Sequence, residues 1–250
     1  MSDEDTRTRE RLPLLQLVPN LVTILGLCAG LTALRFAFAG RFEAAAALIV
    51  FAAILDGFDG ILARRLGTAS RFGAELDTLA DFFNFGVAPA FLVYQLALTG
   101  APDLGWTAAL VFAVCACLRL ARFNVHRDVP VTGRAHFVGV PAPAGAMLGL
   151  LPAFVTFAGI GDAAGAPWLV APWLAAVGLL MICRLRTVAL KGLRVSRGQA
   201  RWLLVATALV VGLTFARFWL LMVLVDLAYL GSLAWAATVA RRSRPTPAAE

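Results

Sequence analysis

Four aspartates occur as two pairs within one short stretch of an otherwise apolar sequence. Asp56 and Asp59 are three residues apart, and Asp77 and Asp81 are four apart. In helices, both spacings put the two carboxylates of a pair on one face. Two antiparallel helices joined by a short loop would bring all four carboxylates together. Clustered carboxylates repel one another and suit hard divalent cations such as Mg²⁺ or Mn²⁺, so the pattern predicts a site for two metal ions.

Glycines and an arginine beside these aspartates fit phosphate chemistry. Gly60 and Gly73 have no side chain, which lets a phosphate or nucleotide approach the backbone. Arg64 offers a planar fork of donors to phosphate oxygens. Two cations, an arginine and a spare carboxylate are the components of an in-line phosphoryl-transfer site. The plainer alternative is that the acids pair with the nearby arginines only to tie two helix ends together.

The elements that must position these residues are membrane helices. Of the 250 residues, 60% are hydrophobic and 15% charged, and the mean hydropathy is +0.82. Soluble domains carry roughly a quarter charged residues. Apolar runs of about 20 residues predict an all-α polytopic membrane helix bundle with about eight transmembrane helices. We expect them at 17–39, 43–65, 72–98, 104–123, 138–159, 167–183, 201–216 and 218–240.

The basic residues predict the orientation of this bundle. Every lysine and arginine except Arg35, Arg41 and Arg217 falls on the side that also holds both termini and the aspartates. The positive-inside rule makes that side cytoplasmic. The chain would then consist of a cytoplasmic tail (1–16), a membrane domain (17–240) and a disordered cytoplasmic tail (241–250). The net charge of +7 indicates contact with anionic lipid rather than nucleic acid, because no nucleic-acid-binding motif interrupts the spans.

The aspartates are part of a longer motif, D-x-x-D-G-x-x-A-R, eight residues, then G-x-x-x-D-x-x-x-D. It is occupied by Asp56, Asp59, Gly60, Ala63, Arg64, Gly73, Asp77 and Asp81. In this motif the chain resembles the CDP-alcohol phosphatidyltransferases. The resemblance implies two divalent cations held by the four aspartates, with Asp81 also the general base. It further implies that CDP-diacylglycerol is bound by Asp56, Gly60, Arg64 and Gly73.

Further segments of the sequence bear on the acceptor alcohol. The stretches V-P-N-L-V-T, F-F-N-F-G-V-A-P-A-F, R-L-A-R-F-N and G-V-P-A-P-A resemble bacterial membrane-type phosphatidylserine synthases. That resemblance implies a homodimer in the bacterial inner membrane, with its site facing the cytoplasm, that transfers the phosphatidyl group to L-serine and releases CMP. Relatives that use glycerol 3-phosphate typically have lysine after the last aspartate of the motif, where this chain has Phe82. Candidate serine-binding residues are Asn84, Arg119 and Arg122.

Several alternatives stay open at this point. The acceptor could be choline or glycerol 3-phosphate, and positive-inside anchoring alone would explain Arg119 and Arg122. From a different class of protein, a cation transporter could use the aspartates as an ion path, although it should then carry acids on several helices at mid-membrane. Asp226, an isolated acid in the last predicted span, has no assigned role.

Overall fold

The predicted all-α membrane bundle is confirmed by a computed structural model, which describes residues 14–66, 70–127, 137–183, 186–187 and 209–242. Its helices are α1 (Leu14–Phe38), α2 (Phe42–Leu66), α3 (Arg71–Phe82), α4 (Ala88–Val93), α5 (Pro102–Arg127), α6 (Ala142–Phe157), α7 (Pro167–Ile182), α8 (described over 209–216) and α9 (Phe218–Arg242). The predicted tails fall largely outside these ranges, at 1–13 and 243–250.

Within the described ranges, five helical stretches are long and apolar enough to cross a membrane. They are Val18–Phe38, Phe42–Leu62, Arg71–Leu98, Pro102–Val125 and Phe218–Ala236, and they coincide with the first four and the last of the predicted spans. Helices α6 and α7 are apolar but have 16 residues each, which gives a length of about 24 Å. The predicted span at 201–216 lies partly outside the described residues, so the count of eight stays a prediction. The chain is a multi-pass membrane protein.

The third span runs from α3 through α4 and contains two π-helical turns. The first, Phe83–Val87, immediately precedes α4, whose second residue is Pro89. Proline has no amide proton to offer the carbonyl four residues earlier, and single π turns accommodate such a missing bond. This turn carries Asn84, whose side chain packs against Gly30 of α1 so closely that a Cβ at position 30 would collide with it. The span therefore stays helical while Asn84 reaches α1.

The bundle is built from a few extensive helix pairs. Helix α1 packs along α2, α5 along α7, and α6 along α9, while α3 lies against α1 and α5. A two-stranded antiparallel pair, β1 (Phe137–Val138) with β2 (Arg186–Thr187), links the segment before α6 to the segment after α7. Because residues 137–138 form β1, helix α6 begins at Ala142, later than residue 138, where the predicted span 138–159 starts. Packing of α2 and α3 against α1 places both aspartate pairs beside the same helix.

Candidate active site

Three of the four predicted metal-binding aspartates converge on one point. Asp56 and Asp59 lie near the end of α2, and Asp77 lies in the second turn of α3. One carboxylate oxygen from each of the three lies within 4.8 Å of the other two. Asp59 is buried, and Asp56 and Asp77 are partly buried, so these charges have lost much of their hydration. Burial of clustered carboxylates is costly unless a cation or a proton compensates them.

Asp81 joins this cluster from the last turn of α3. Its carboxyl group is hydrogen-bonded to that of Asp56 and interacts electrostatically with Asp77 and Asp59. Two carboxyl groups at hydrogen-bond distance must share a proton or a cation, because two bare negative charges would repel. The structure therefore brings all four aspartates together, as their spacing predicts. We call Asp56, Asp59, Asp77 and Asp81 the aspartate cluster.

The donor set of the aspartate cluster fits a divalent metal ion. All of its ligand atoms are carboxylate oxygens, which hard cations such as Mg²⁺ and Mn²⁺ prefer over softer metals. The convergence of three oxygens within 4.8 Å gives one ion a set of ligands from two helices. Structural pairing with arginine does not account for the buried Asp59, whose side chain instead accepts hydrogen bonds from Thr23 and from the Gly60 amide. The cluster can hold a metal ion.

Helix α1 contributes a residue that the motif does not contain. The Thr23 hydroxyl is buried 3.0 Å from Oδ2 of Asp59 and 3.1 Å from the carbonyl oxygen of Pro19, so its single proton is shared between two acceptors. This contact orients one carboxylate of the cluster from the third helix. The available sequence signal was the polar pair Asn20 and Thr23 in V-P-N-L-V-T, at the start of an otherwise apolar span.

The start of α3 is fixed by a cap and by close packing against α1. The Ser70 hydroxyl accepts a hydrogen bond of 3.0 Å from the Gly73 amide, which is a typical N-cap arrangement. A Cβ at Gly73 would lie 2.6 Å from Oδ1 of Asn20, so this position has no room for a side chain. Glycine at 73 thus leaves room for the Asn20 side chain, which would have to shift for a larger residue, in addition to any ligand that it admits. The Arg64 side chain lies outside the described part of the structure, although its backbone is helical.

A cavity opens beside the aspartate cluster. It is narrow, and its empty space of about 190 Å³ includes open solvent at the mouth. Asn84, one of its lining residues, is 3% exposed, and Oδ1 of this side chain has no hydrogen-bond partner in the described structure. An unpaired buried amide oxygen beside four carboxylates offers a polar contact to a bound ligand. The lining residues are Val22, Thr23, Gly26, Ala52, Asp56, Asp59, Asp77, Ala80, Asp81 and Asn84.

The two arginines predicted to bind serine lie in different surroundings. Arg119 is half-buried on α5, and its guanidinium interacts electrostatically with Asp81 and Asp56 and with Tyr229 of α9. Arg122, one turn further along α5, is exposed and donates a hydrogen bond of 2.9 Å to the carbonyl oxygen of Ile182 at the end of α7. Arg119 therefore belongs to the surroundings of the aspartate cluster, whereas this bond gives Arg122 a role in joining α5 to α7.

Other polar residues outside the motif are paired or buried in the described helices. Thr78 of α3 and Asn124 of α5 are hydrogen-bonded to each other, with Asn124 Nδ2 3.0 Å from the threonine hydroxyl. This bond fixes α3 against the helix that carries Arg119. On α9, Asp226 is 3% exposed and its Oδ2 has no partner in the described structure, and the buried Tyr229 hydroxyl has none either. No sequence motif marks these two residues.

Fold and site together define a class of protein: a multi-pass membrane protein with a cluster of carboxylates between adjacent helices that could hold a metal ion. A sequence model of one family, described as CDP-alcohol phosphatidyltransferase, matches residues 16–183. That match covers more than half of the chain, and the chain belongs to this family. Members of this family use divalent metals, in agreement with the aspartate cluster.

Curated relatives share a single printed name, CDP-diacylglycerol–serine O-phosphatidyltransferase. One from Mycobacterium leprae is 47% identical over 179 residues, which cover 68% of this chain and 58% of that protein. One from Mycobacterium tuberculosis (strain H37Rv) is 40% identical over 221 residues, covering 86% of this chain and 76% of the relative. One from Methanocaldococcus jannaschii is 40% identical over 131 residues, covering 52% and 57%. The matched parts thus span little more than half of the first and third relatives.

Proposed function

We propose that this protein is a serine O-phosphatidyltransferase, which moves the phosphatidyl group of CDP-diacylglycerol onto the hydroxyl of L-serine and releases CMP. The observation that carries the proposal is the convergence of Asp56, Asp59, Asp77 and Asp81 beside Arg119. The name shared by the curated relatives supports serine as the acceptor.

Two divalent cations, Mg²⁺ or Mn²⁺, would be held by the aspartate cluster. Four carboxylates from α2 and α3 supply enough hard oxygen ligands for a shared pair of ions, and Thr23 orients one of them. When bound, the ions would neutralise charge on the diphosphate and polarise the phosphorus under attack. Asp56, Gly60, Arg64 and Gly73 would contact the CDP-diacylglycerol headgroup, as in the family motif.

Asp81 would serve as the general base. It lies one turn further along the third span than Asp77, lines the same cavity as Asn84 and interacts electrostatically with Arg119. Its carboxylate would accept the proton of the serine hydroxyl as the hydroxyl oxygen bonds to the phosphatidyl phosphorus. The bond from that phosphorus to the CMP oxygen breaks, and CMP leaves with the electron pair. Asn84, Arg119 and Arg122 remain the proposed serine-binding residues, with Arg119 the best placed.

The position in the cell is also part of the proposal. We infer a bacterial inner-membrane protein whose site faces the cytoplasm, because Arg65 near the end of α2 and Arg71 at the start of α3 flank the short connection between the two helices that carry the aspartates. A homodimer is expected from the family resemblance. The exposed apolar faces of α1 and α9, which include Leu21 and Leu224, are available to lipid or to a second subunit.

An acceptor assay tests the proposed function directly. Purified protein in detergent is incubated with CDP-diacylglycerol, Mg²⁺ or Mn²⁺, and labelled L-serine, choline or glycerol 3-phosphate in turn. We expect a labelled lipid from serine alone, with one CMP released for each lipid formed. A lipid product from choline or glycerol 3-phosphate instead would overturn the serine assignment. Absence of any CMP release with all three alcohols would point back to the transporter alternative.

Substitution of Thr23 by valine is expected to weaken metal binding. The valine keeps the shape of the side chain but cannot donate to Oδ2 of Asp59. Loss of a partner that orients a metal ligand typically lowers metal affinity by about tenfold or more. The concentration of Mg²⁺ that gives half-maximal activity should therefore rise about tenfold, measured by titrating metal into the depleted enzyme.

Thr32 on the same helix provides the matched control. Its hydroxyl donates to the carbonyl oxygen of Cys28, 2.7 Å away within α1, and the side chain is partly exposed. Thr32→Val removes the same atoms without touching the aspartate cluster, so its metal dependence should stay that of the wild type. Equal shifts in the two variants would show that Thr23 acts through general helix packing rather than through Asp59.

A further inference from the structure

The last helix presents an unpaired polar atom to the interior of the bundle. The Tyr229 hydroxyl is buried and has no hydrogen-bond partner in the described structure. Its residue lies on the α9 face that also carries Trp219, Met222 and Leu233, all packed against the hydrophobic core. A buried hydroxyl without a partner is uncommon, because it loses its hydrogen bonds to water without replacing them. Such a group is free to donate a hydrogen bond to a bound molecule.

Arg119 interacts both with Tyr229 and with the aspartate cluster. The Arg119 guanidinium interacts electrostatically with the Tyr229 side chain as well as with Asp81 and Asp56. Helix α9 thus reaches the surroundings of the site from a part of the chain beyond residues 16–183, which match the family. A residue in that position can distinguish between acceptors while the shared motif carries out the transfer.

We propose that Tyr229 is an acceptor-binding residue whose hydroxyl donates a hydrogen bond to the carboxylate of the incoming serine, alongside the guanidinium of Arg119. The inference rests on the proposed function, because it takes an amino acid as the acceptor. When the serine hydroxyl lies against Asp81, its carboxylate is only three bonds away, within the region where Arg119 faces Asp81. A guanidinium and a phenol are both donors, and together they suit a carboxylate.

The diphosphate of the other substrate is a weaker match for this pair. Phosphate oxygens are drawn to the cations and to the motif residues on α2 and α3, whereas Tyr229 approaches from α9, a helix outside the motif. An amino alcohol without a carboxylate, such as the ethanolamine cation, would leave both donors unsatisfied. Sites built to hydrogen-bond a substrate group discriminate strongly against analogues that lack it.

The test is Tyr229→Phe, with Tyr94→Phe as the matched control. These are the only two tyrosines of the chain, and Tyr94 packs edge-on against Trp106 at a ring distance of 5.5 Å. Loss of a hydrogen bond to a charged group should raise the KM for serine about tenfold in Tyr229→Phe. The KM for CDP-diacylglycerol and the inhibition constant of ethanolamine, which lacks the carboxylate, should change by less than about twofold. Tyr94→Phe should match the wild type in all three.

The outcomes separate this inference from the proposed function. A wild-type enzyme that makes no phosphatidylserine would overturn both. A wild type that uses serine, combined with an unchanged KM for serine in Tyr229→Phe, would overturn the role of Tyr229 alone. A variant in which the KM values for both substrates and the ethanolamine constant rise together would also overturn it, since that pattern indicates a structural role.

Discussion

Asp81→Asn should reduce phosphatidyl transfer by at least about a thousandfold while the protein stays folded. An amide cannot take up the proton of the acceptor hydroxyl, and general-base catalysis alone contributes roughly a hundredfold to ten-thousandfold. The same change also removes one carboxylate from the proposed metal ligands, which adds to the loss. Folding should survive because the asparagine amide can still donate to the Asp56 carboxylate that now contacts Asp81.

Two measurements separate a loss of catalysis in Asp81→Asn from a loss of folding. Initial rates of CMP release give the loss of turnover, and thermal unfolding in detergent together with CDP binding shows whether the site is otherwise intact. Asp103→Asn is the control, because Asp103 is exposed in the first turn of α5, about 24 Å along the helix from Arg119. Asp81→Asn with near-normal turnover would refute the general-base assignment. Loss of folding along with activity would instead assign Asp81 a structural role.

Exhaustive removal of divalent cations should abolish activity, and either Mg²⁺ or Mn²⁺ should restore it. Metal ions stabilise the charge of a phosphoryl-transfer transition state by several kcal/mol, which corresponds to a loss of about a thousandfold or more. The metal-free protein should also unfold at a lower temperature, since the four carboxylates then repel one another at close range. Activity and the unfolding midpoint are followed while the ion is titrated back.

Two matched aspartate variants test whether the dependence on divalent cations arises at the aspartate cluster. Asp77→Asn removes a ligand from the aspartate cluster, and the concentration of Mg²⁺ needed for half-maximal activity should rise at least tenfold. Asp226→Asn alters a buried aspartate on α9, and its metal dependence should match the wild type. Full activity in the presence of a chelator, or the same metal response in both variants, would contradict a catalytic metal site at the cluster.

Local sequence patterns were sufficient for much of the architecture. Apolar runs the length of a bilayer predicted the five long spans, because in lipid a helix satisfies its backbone hydrogen bonds within a single segment. The aspartate cluster was also predictable, since Asp56 and Asp59 near the end of α2 are separated by a short connection from Asp77 and Asp81 on α3. Short connections make neighbouring helices antiparallel, and that alone brings the two pairs together.

The partners of these aspartates depended on packing between distant segments. Thr23 meets Asp59 across 36 positions of sequence, and Arg119 and Arg122, one turn apart in R-L-A-R, face different neighbours. Spacing along a helix predicts which residues share a face. Which other helix packs against that face depends on the packing of the whole bundle.

What the sequence by itself determined is the material for the chemistry: a membrane chain with two pairs of carboxylates at fixed helical spacing, beside glycines and an arginine. What only the tertiary structure decided is which residues surround that chemistry. The contribution of α1 through Thr23, the cavity at Asn84 and the approach of Tyr229 from α9 all arise from contacts between helices far apart in the chain. Such contacts follow from the mutual fit of side chains across the bundle, which leaves no periodic trace in the sequence.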